Sequence, residues 1–76
     1  MAERITCDPN ILKGKPIIKG TRISVEFILE LMSSGMTIED ILKEYSQLKK
    51  EDILSSLRYA ISVLKHEEIY PTAQIA

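Results

Sequence analysis

The apolar positions of this chain change their spacing once, near Ser24. Ahead of that point they fall in short β-branched runs, Ile5-Thr6-Cys7 and Pro16-Ile17-Ile18, broken by Pro9, Gly14 and Gly20. Such runs are too short for helices and predict brief strands in an extended arm over residues 3–23. Lys19-Gly20 reads as a turn, because glycine takes up positive φ without steric cost. From Ser24 onward the period is helical. Ser24 is placed to N-cap a first helix running to about Ser34, with Glu26 in its first turn and Gly35 at the C′ position. Thr37 opens a second helix, Asp40 closes a shortened capping box with it, and Ile38, Ile41, Leu42 and Tyr45 form one apolar stripe. After Ser46-Gln47-Leu48, a third helix is expected from near Lys50 to Glu67 or Glu68. Its stripe of Ile53, Leu54, Leu57, Ala60, Ile61 and Leu64 has the spacing of a single buried face. Pro71 is expected to stop it and to leave Thr72–Ala76 as a frayed tail.

The expected class is therefore mainly α, a three-helix bundle in helix-turn-helix order with a short N-terminal β arm. One domain covers residues 1–76: an arm at 3–23, the helices at 24–68 and a tail at 69–76. The first helix carries more apolar surface than one core needs. Val25, Phe27, Ile28, Leu29, Leu31 and Met32 span an arc of roughly 200°, against the ~100° of a helix facing a single core. Tyr59 and Val63 add a small patch outside the main stripe of the third helix. Either the arm covers the far side of the first helix, or part of this surface meets another chain, as contiguous exposed apolar area usually does. The residues assigned to such a partner or homodimer interface are Ile5, Ile17, Phe27, Leu31, Tyr59 and Val63.

Composition narrows the function. Ten Lys and Arg face eleven Asp and Glu across 76 residues, a net charge of -1, which is unlike a strongly basic nucleic-acid coat. Hydrophobic residues at 45% and charged residues at 28% fit a globular domain. A lone Cys7 forms no internal disulfide and suits a cytoplasmic location. No apolar run is long enough for a membrane span, and MAERITCDPN has no signal-peptide core, so neither membrane insertion nor export is expected. An enzyme is not expected either. His66 is the only histidine, Cys7 has no Cys-x-x-Cys partner, and the pairs Glu39-Asp40 and Glu67-Glu68 are adjacent residues that do not face one another on a helix. No metal, cofactor or small-molecule substrate is indicated.

The stretch GKPIIKGTRISV, then Gly35, Thr37-Ile38-Glu39-Asp40-Ile41-Leu42, Tyr45 and Leu48, resembles the domain-of-unknown-function family 433. The family's Gly-x-Pro-x-Ile-x-Gly-Thr-Arg-Ile core is matched by Gly14, Pro16, Ile18, Gly20, Thr21, Arg22 and Ile23. The likeness runs on to Tyr59-Ala60 and covers about Ile5 to Leu64. It implies a bacterial or archaeal protein with a homeodomain-like helix-turn-helix behind a small β arm. Family members often sit beside PIN-like ribonuclease toxins and are proposed to be antitoxins similar to the VapB type. Two positions depart from the family: Ser46 stands where Pro is frequent, and Lys49 where Thr commonly caps the third helix. Lysine cannot accept the capping amide bond, which weakens that cap by about 1 kcal/mol.

Lys13, Lys15, Lys19 and Arg22 form the one sizeable charge asymmetry, four cations without an acid and interleaved with glycine. That segment suits a nucleic-acid backbone or acidic groups on a toxin. The plain alternative is a solvated loop with Arg22 paired to a helix carboxylate. If the third helix is a recognition helix, Lys49 and Lys50 meet phosphate, and Ser55 and Arg58 lie near base edges. Glu51 and Asp52 would repel the same phosphates, and a solvent-facing helix would look alike. The functional expectation is an antitoxin-like homodimer that binds a PIN-like toxin and, with Lys15, Lys19, Arg22, Lys49, Lys50, Ser55 and Arg58, its operator DNA. A protein-interaction or dimerisation module without nucleic-acid binding is the alternative.

Overall fold

The structure is a computed structural model that describes the backbone of residues 4–75 and the side chains of residues 4–65. Two short strands come first, β1 (Ile5–Cys7) and β2 (Pro16–Ile18), separated by a 3-10 turn at Leu12–Gly14. They pair antiparallel, with Ile5 opposite Ile18, Thr6 opposite Ile17 and Cys7 opposite Pro16. Three helices follow: α1 (Val25–Ser33), α2 (Ile38–Glu44) and α3 (Lys50–Ile75).

A tight turn, Lys19–Arg22, carries the chain from β2 into α1, and Thr21 closes it. The Thr21 hydroxyl donates to the Ile18 carbonyl at 2.8 Å and accepts from the Ile23 amide at 2.9 Å. Gly20 lies beside it at φ 82°, a conformation that glycine adopts without strain. The Gly-Thr of the motif is thus a folding device that aims β2 and α1 into one core.

The helix ends follow local rules. The Ser24 side chain accepts from the Phe27 amide at the start of α1. At its other end Gly35, at φ 107°, donates to Met32 and Met36 donates to Leu31, the paired bonds of a Schellman motif. In α2, Thr37 and Asp40 exchange both bonds of a capping box. The Thr37 backbone amide, then the Thr37 hydroxyl, holds the Asp40 carboxyl below the usual carboxylate value, with Lys43 adding to the effect.

The core draws on β2, the turn that follows it, all three helices and the α2–α3 connection: Ile18, Ile23, Ile28, Ile41, Leu48 and Ile53. Ile5, Phe27, Leu31, Met32 and Tyr45 pack around it, with Phe27 edge-on to Tyr45 at a centroid distance of 5.6 Å. The wide apolar arc of α1 is therefore largely used inside the chain. Ile17, expected at a partner interface, is 1% exposed, because its side chain turns inward where the strand meets Ser24.

The third helix departs furthest from its sequence reading. Only Ile53 of its expected stripe belongs to the core, while Ile61 is 52% and Leu64 58% exposed. The residues that dock α3 are Asp52, Ile53, Ser55 and Ser56, all in its first two turns and all buried. Ser56 is fully buried and donates to the Asp52 carbonyl, a small residue that lets the helix lie close to the body. The cause is a mismatch of lengths. The nine residues of α1 span about 14 Å and the 26 of α3 about 39 Å, so α3 overruns its support. The stop expected at Pro71 does not occur either, and the backbone is helical to Ile75. Proline's fixed φ is itself helical, and its missing N–H removes one bond rather than the turns on either side. The side chains of His66, of the Glu67-Glu68 pair and of the expected tail lie outside the described residues, as does Ala76.

Asp52 joins the arm to α3. One carboxylate oxygen accepts from the Arg4 guanidinium at 2.9 Å, and the other accepts from the Lys49 amide at 2.8 Å. The second bond is the N3 half of a capping box, while the Asp52 amide, which a lysine side chain cannot accept from, donates to the Lys49 carbonyl at 2.9 Å instead. Replacing Asp52 by Ala strands the Lys49 amide and frees Arg4, so an expected loss of about 1–3 kcal/mol should appear in urea unfolding. Arg4→Ala, at a half-exposed guanidinium, should cost under about 1 kcal/mol in the same assay.

Candidate functional site

Three consecutive residues in the β1–β2 connection have positive φ: Leu12 at 49°, Lys13 at 57° and Gly14 at 82°. Only the last is a glycine. The left-handed turn is closed by the Gly14 amide donating to Ile11 and the Lys15 amide donating to Leu12. Holding a leucine and a lysine there costs of order 1–3 kcal/mol each, a strain that folded structure tends to retain at binding sites. The result is a leucine side chain held 42% exposed beside α1.

Leu12 borders a groove of about 660 Å³ whose apolar lining includes Ile23 and Phe27. Lys13, Lys15 and Arg22 rim it on the arm side, and Glu26 and Glu30 on the α1 side. Lys15 bonds Glu26 across it at 3.0 Å, so Lys15, rather than Arg22, pairs with the helix carboxylate. Among the described residues Lys13, Lys19 and Arg22 form no ion pair. Arg22 also borders a second groove, of about 720 Å³, together with Lys19 and Gln47. The four cations thus divide between two depressions, with Arg22 on the ridge they share.

On α3, Lys49 and Lys50 stand exposed at the N-terminus, as a phosphate contact requires. Ser55 does not face outward. It is 6% exposed, because the docking face of α3 reaches from Asp52 and Ile53 round to Ser55. Arg58 is exposed and bonds Glu51 at 3.2 Å along its own helix. Tyr59 is half-buried and Val63 is 38% exposed, while Ile5, Phe27 and Leu31 are half-buried against the core. The outward flank of α3 is instead a seam of Leu54, Leu57, Ile61 and Leu64. The spacing contained that seam but gave no sign that nothing would cover it. Leu12 was missed for want of any local signal for a left-handed leucine. Among the described residues no group of three or more His, Cys, Asp or Glu gathers, and no helix is long and apolar enough to cross a membrane.

These features define a small, mainly helical domain with a two-stranded antiparallel sheet. The chain belongs to the family described as "Protein of unknown function (DUF433)", whose model matches residues 5–60. It is 33% identical over 58 residues to the uncharacterized protein y4eO of Sinorhizobium fredii (strain NBRC 101917 / NGR234), covering 76% of this chain and 26% of that protein. It is also similar to the crystal structure of a DUF433 member protein from Anabaena variabilis ATCC 29413, with a TM-score of 0.77 and 24% identity. That likeness covers 83% of this chain and 62% of the other, and it shows the shared fold. The chain thus spans about a quarter of y4eO and less than two thirds of the solved relative.

The strain at Lys13 has a measurable sign. In most loops a change to glycine destabilises, through the greater freedom of the unfolded chain. Lys13→Gly should instead raise stability, by up to about 1 kcal/mol, because relief of the left-handed lysine outweighs that term. A higher thermal midpoint checks this.

Proposed function

We propose that the chain is a non-catalytic binding module of the antitoxin type, which docks on a PIN-like ribonuclease toxin through the groove beside Leu12. The observation that supports this reading is the groove itself. An exposed leucine on a strained turn, with Ile23 and Phe27 beneath, offers an apolar anchor, and Lys13 and Arg22 offer cations without a partner among the described residues. Acidic groups on a nuclease are the complementary chemistry. An apolar anchor whose surrounding contacts exclude water is the usual form of an interface hot spot. The family resemblance supplies the toxin, and the chemistry of the groove supplies the mode of contact.

Operator DNA is the second reading, favoured by the exposed Lys49 and Lys50 at the start of α3. In a homeodomain-like helix-turn-helix the outward residues of α3 would enter the major groove. Here those include Glu51 and Leu54, Arg58 is already bonded to Glu51, and Ser55 is out of reach. We therefore assign toxin binding first and any contact with DNA to Lys49, Lys50 and the basic loop.

Co-expression with a PIN-like nuclease encoded beside its gene tests the first reading. A stable complex and suppressed RNA cleavage are expected. Lys13→Glu with Arg22→Glu should weaken the complex at least about tenfold, a cost near 1.4 kcal/mol, whereas Arg22→Lys should change it little. Cleavage that continues undiminished in the presence of excess chain refutes the antitoxin reading. A complex indifferent to the charge reversals moves the contact away from the groove.

A further inference from the structure

The seam on α3 lies away from the basic groove and calls for a different occupant. Leu54, Leu57, Ile61 and Leu64 follow a three-four-three spacing, the a and d positions of a heptad. The first two are half-buried at the edge of the body, and the last two are more than half exposed on the overhang. A leucine and an isoleucine left open at that spacing form the kind of contiguous apolar strip that marks an association surface.

The charges beside the strip select the partner. One flank carries Glu51, Arg58 and Lys65 at seven-residue intervals, and the other carries Ile53 and Ala60. We propose that this face pairs with a second copy of the chain, α3 against α3, antiparallel. Leu54 then meets the partner's Leu64, and Leu57 meets the partner's Ile61. In the same register Glu51 lies opposite the partner's Lys65, twice per pair by symmetry. Arg58 approaches the partner's Arg58 at the two-fold axis, each already neutralised by its own Glu51 at 3.2 Å. Ala60 also falls near the axis, where a small side chain allows the helices to close. A parallel pair would set Arg58 and Lys65 against the partner's Ile53 and Ala60, with no opposite charge available. The antiparallel pair also places the two bodies toward opposite ends.

This inference does not depend on the toxin reading, since it uses another face and another assay. Sedimentation equilibrium on the full chain alone should give the mass of two chains at micromolar concentration. Ile61→Asp, at a position that the fold does not bury, should give one chain with an unchanged circular dichroism spectrum. In an Arg58→Gln background, which removes the like charges at the axis that Glu51 otherwise neutralises, Lys65→Glu should weaken association about tenfold, and Glu51→Lys added to it should restore association by exchanging the pair. A single-chain mass for the unsubstituted protein overturns the proposal, even if the seam captures some other protein. So does a dimer that Ile61→Asp leaves intact. Failure of the double exchange to rescue overturns the antiparallel register.

Discussion

The first two turns of α3 are the joint on which this small fold is assembled. Ile53 enters the core, Ser56 lets the helix lie close, and Asp52 holds the arm through Arg4 and the preceding turn through the Lys49 amide. A buried carboxylate is costly unless its oxygens are satisfied, and a charged partner with a backbone donor meets that need. The attraction between Arg4 and Asp52 is modest, because the guanidinium is half exposed. The greater consequence is directional. With both oxygens committed, α3 leaves the body at a fixed angle, and the rest of the helix goes where that angle sends it.

Two surfaces follow from that geometry. The short body consumes nearly all the apolar residues of α1, α2 and the arm, so apolar surface remains open in only a few places among the described residues. One is Leu12, kept outward by a left-handed turn beside Lys13 and Arg22. Another is the flank of α3 past Ser56. The first combines an apolar anchor with unpaired cations and suits an acidic protein surface. The second is a regular strip with an acid at one end of its flank and bases along the rest, and suits a helix of its own kind. In the pairing we propose, their separation leaves the groove of each copy open.

What could be read from the sequence was local. Ser24, the Thr37–Asp40 box and Gly35 act within one turn of themselves, and their spacing was sufficient to place the ends of α1 and the start of α2. The Asp52–Lys49 bond obeys the same three-residue rule and is legible too, yet the sequence reading treats Asp52 only as an acid that would repel phosphate. Its other partner, Arg4, is 48 positions away, and no local pattern joins them. Periodicity placed Ile53, Leu57, Ile61 and Leu64 along one side of α3 but carries no information on how wide the opposing surface is. That is why the far half of the stripe was assigned to a core that ends at Ser56. Likewise Gly14 announces positive φ, whereas Leu12 and Lys13 are drawn into it only by the bonds that close the turn.

The central proposal is that α3, whose fully buried residues among those described all lie in its first two turns, is covered along its apolar flank by a second copy. Amide hydrogen exchange along α3, followed at rising protein concentration, addresses it most directly. Protection of residues 50–57 should be independent of concentration, and protection of residues 58–65 should be slight when dilute and should climb as chains associate. Strong protection of both segments at every dilution, or weak protection of 58–65 at every concentration, would contradict the account.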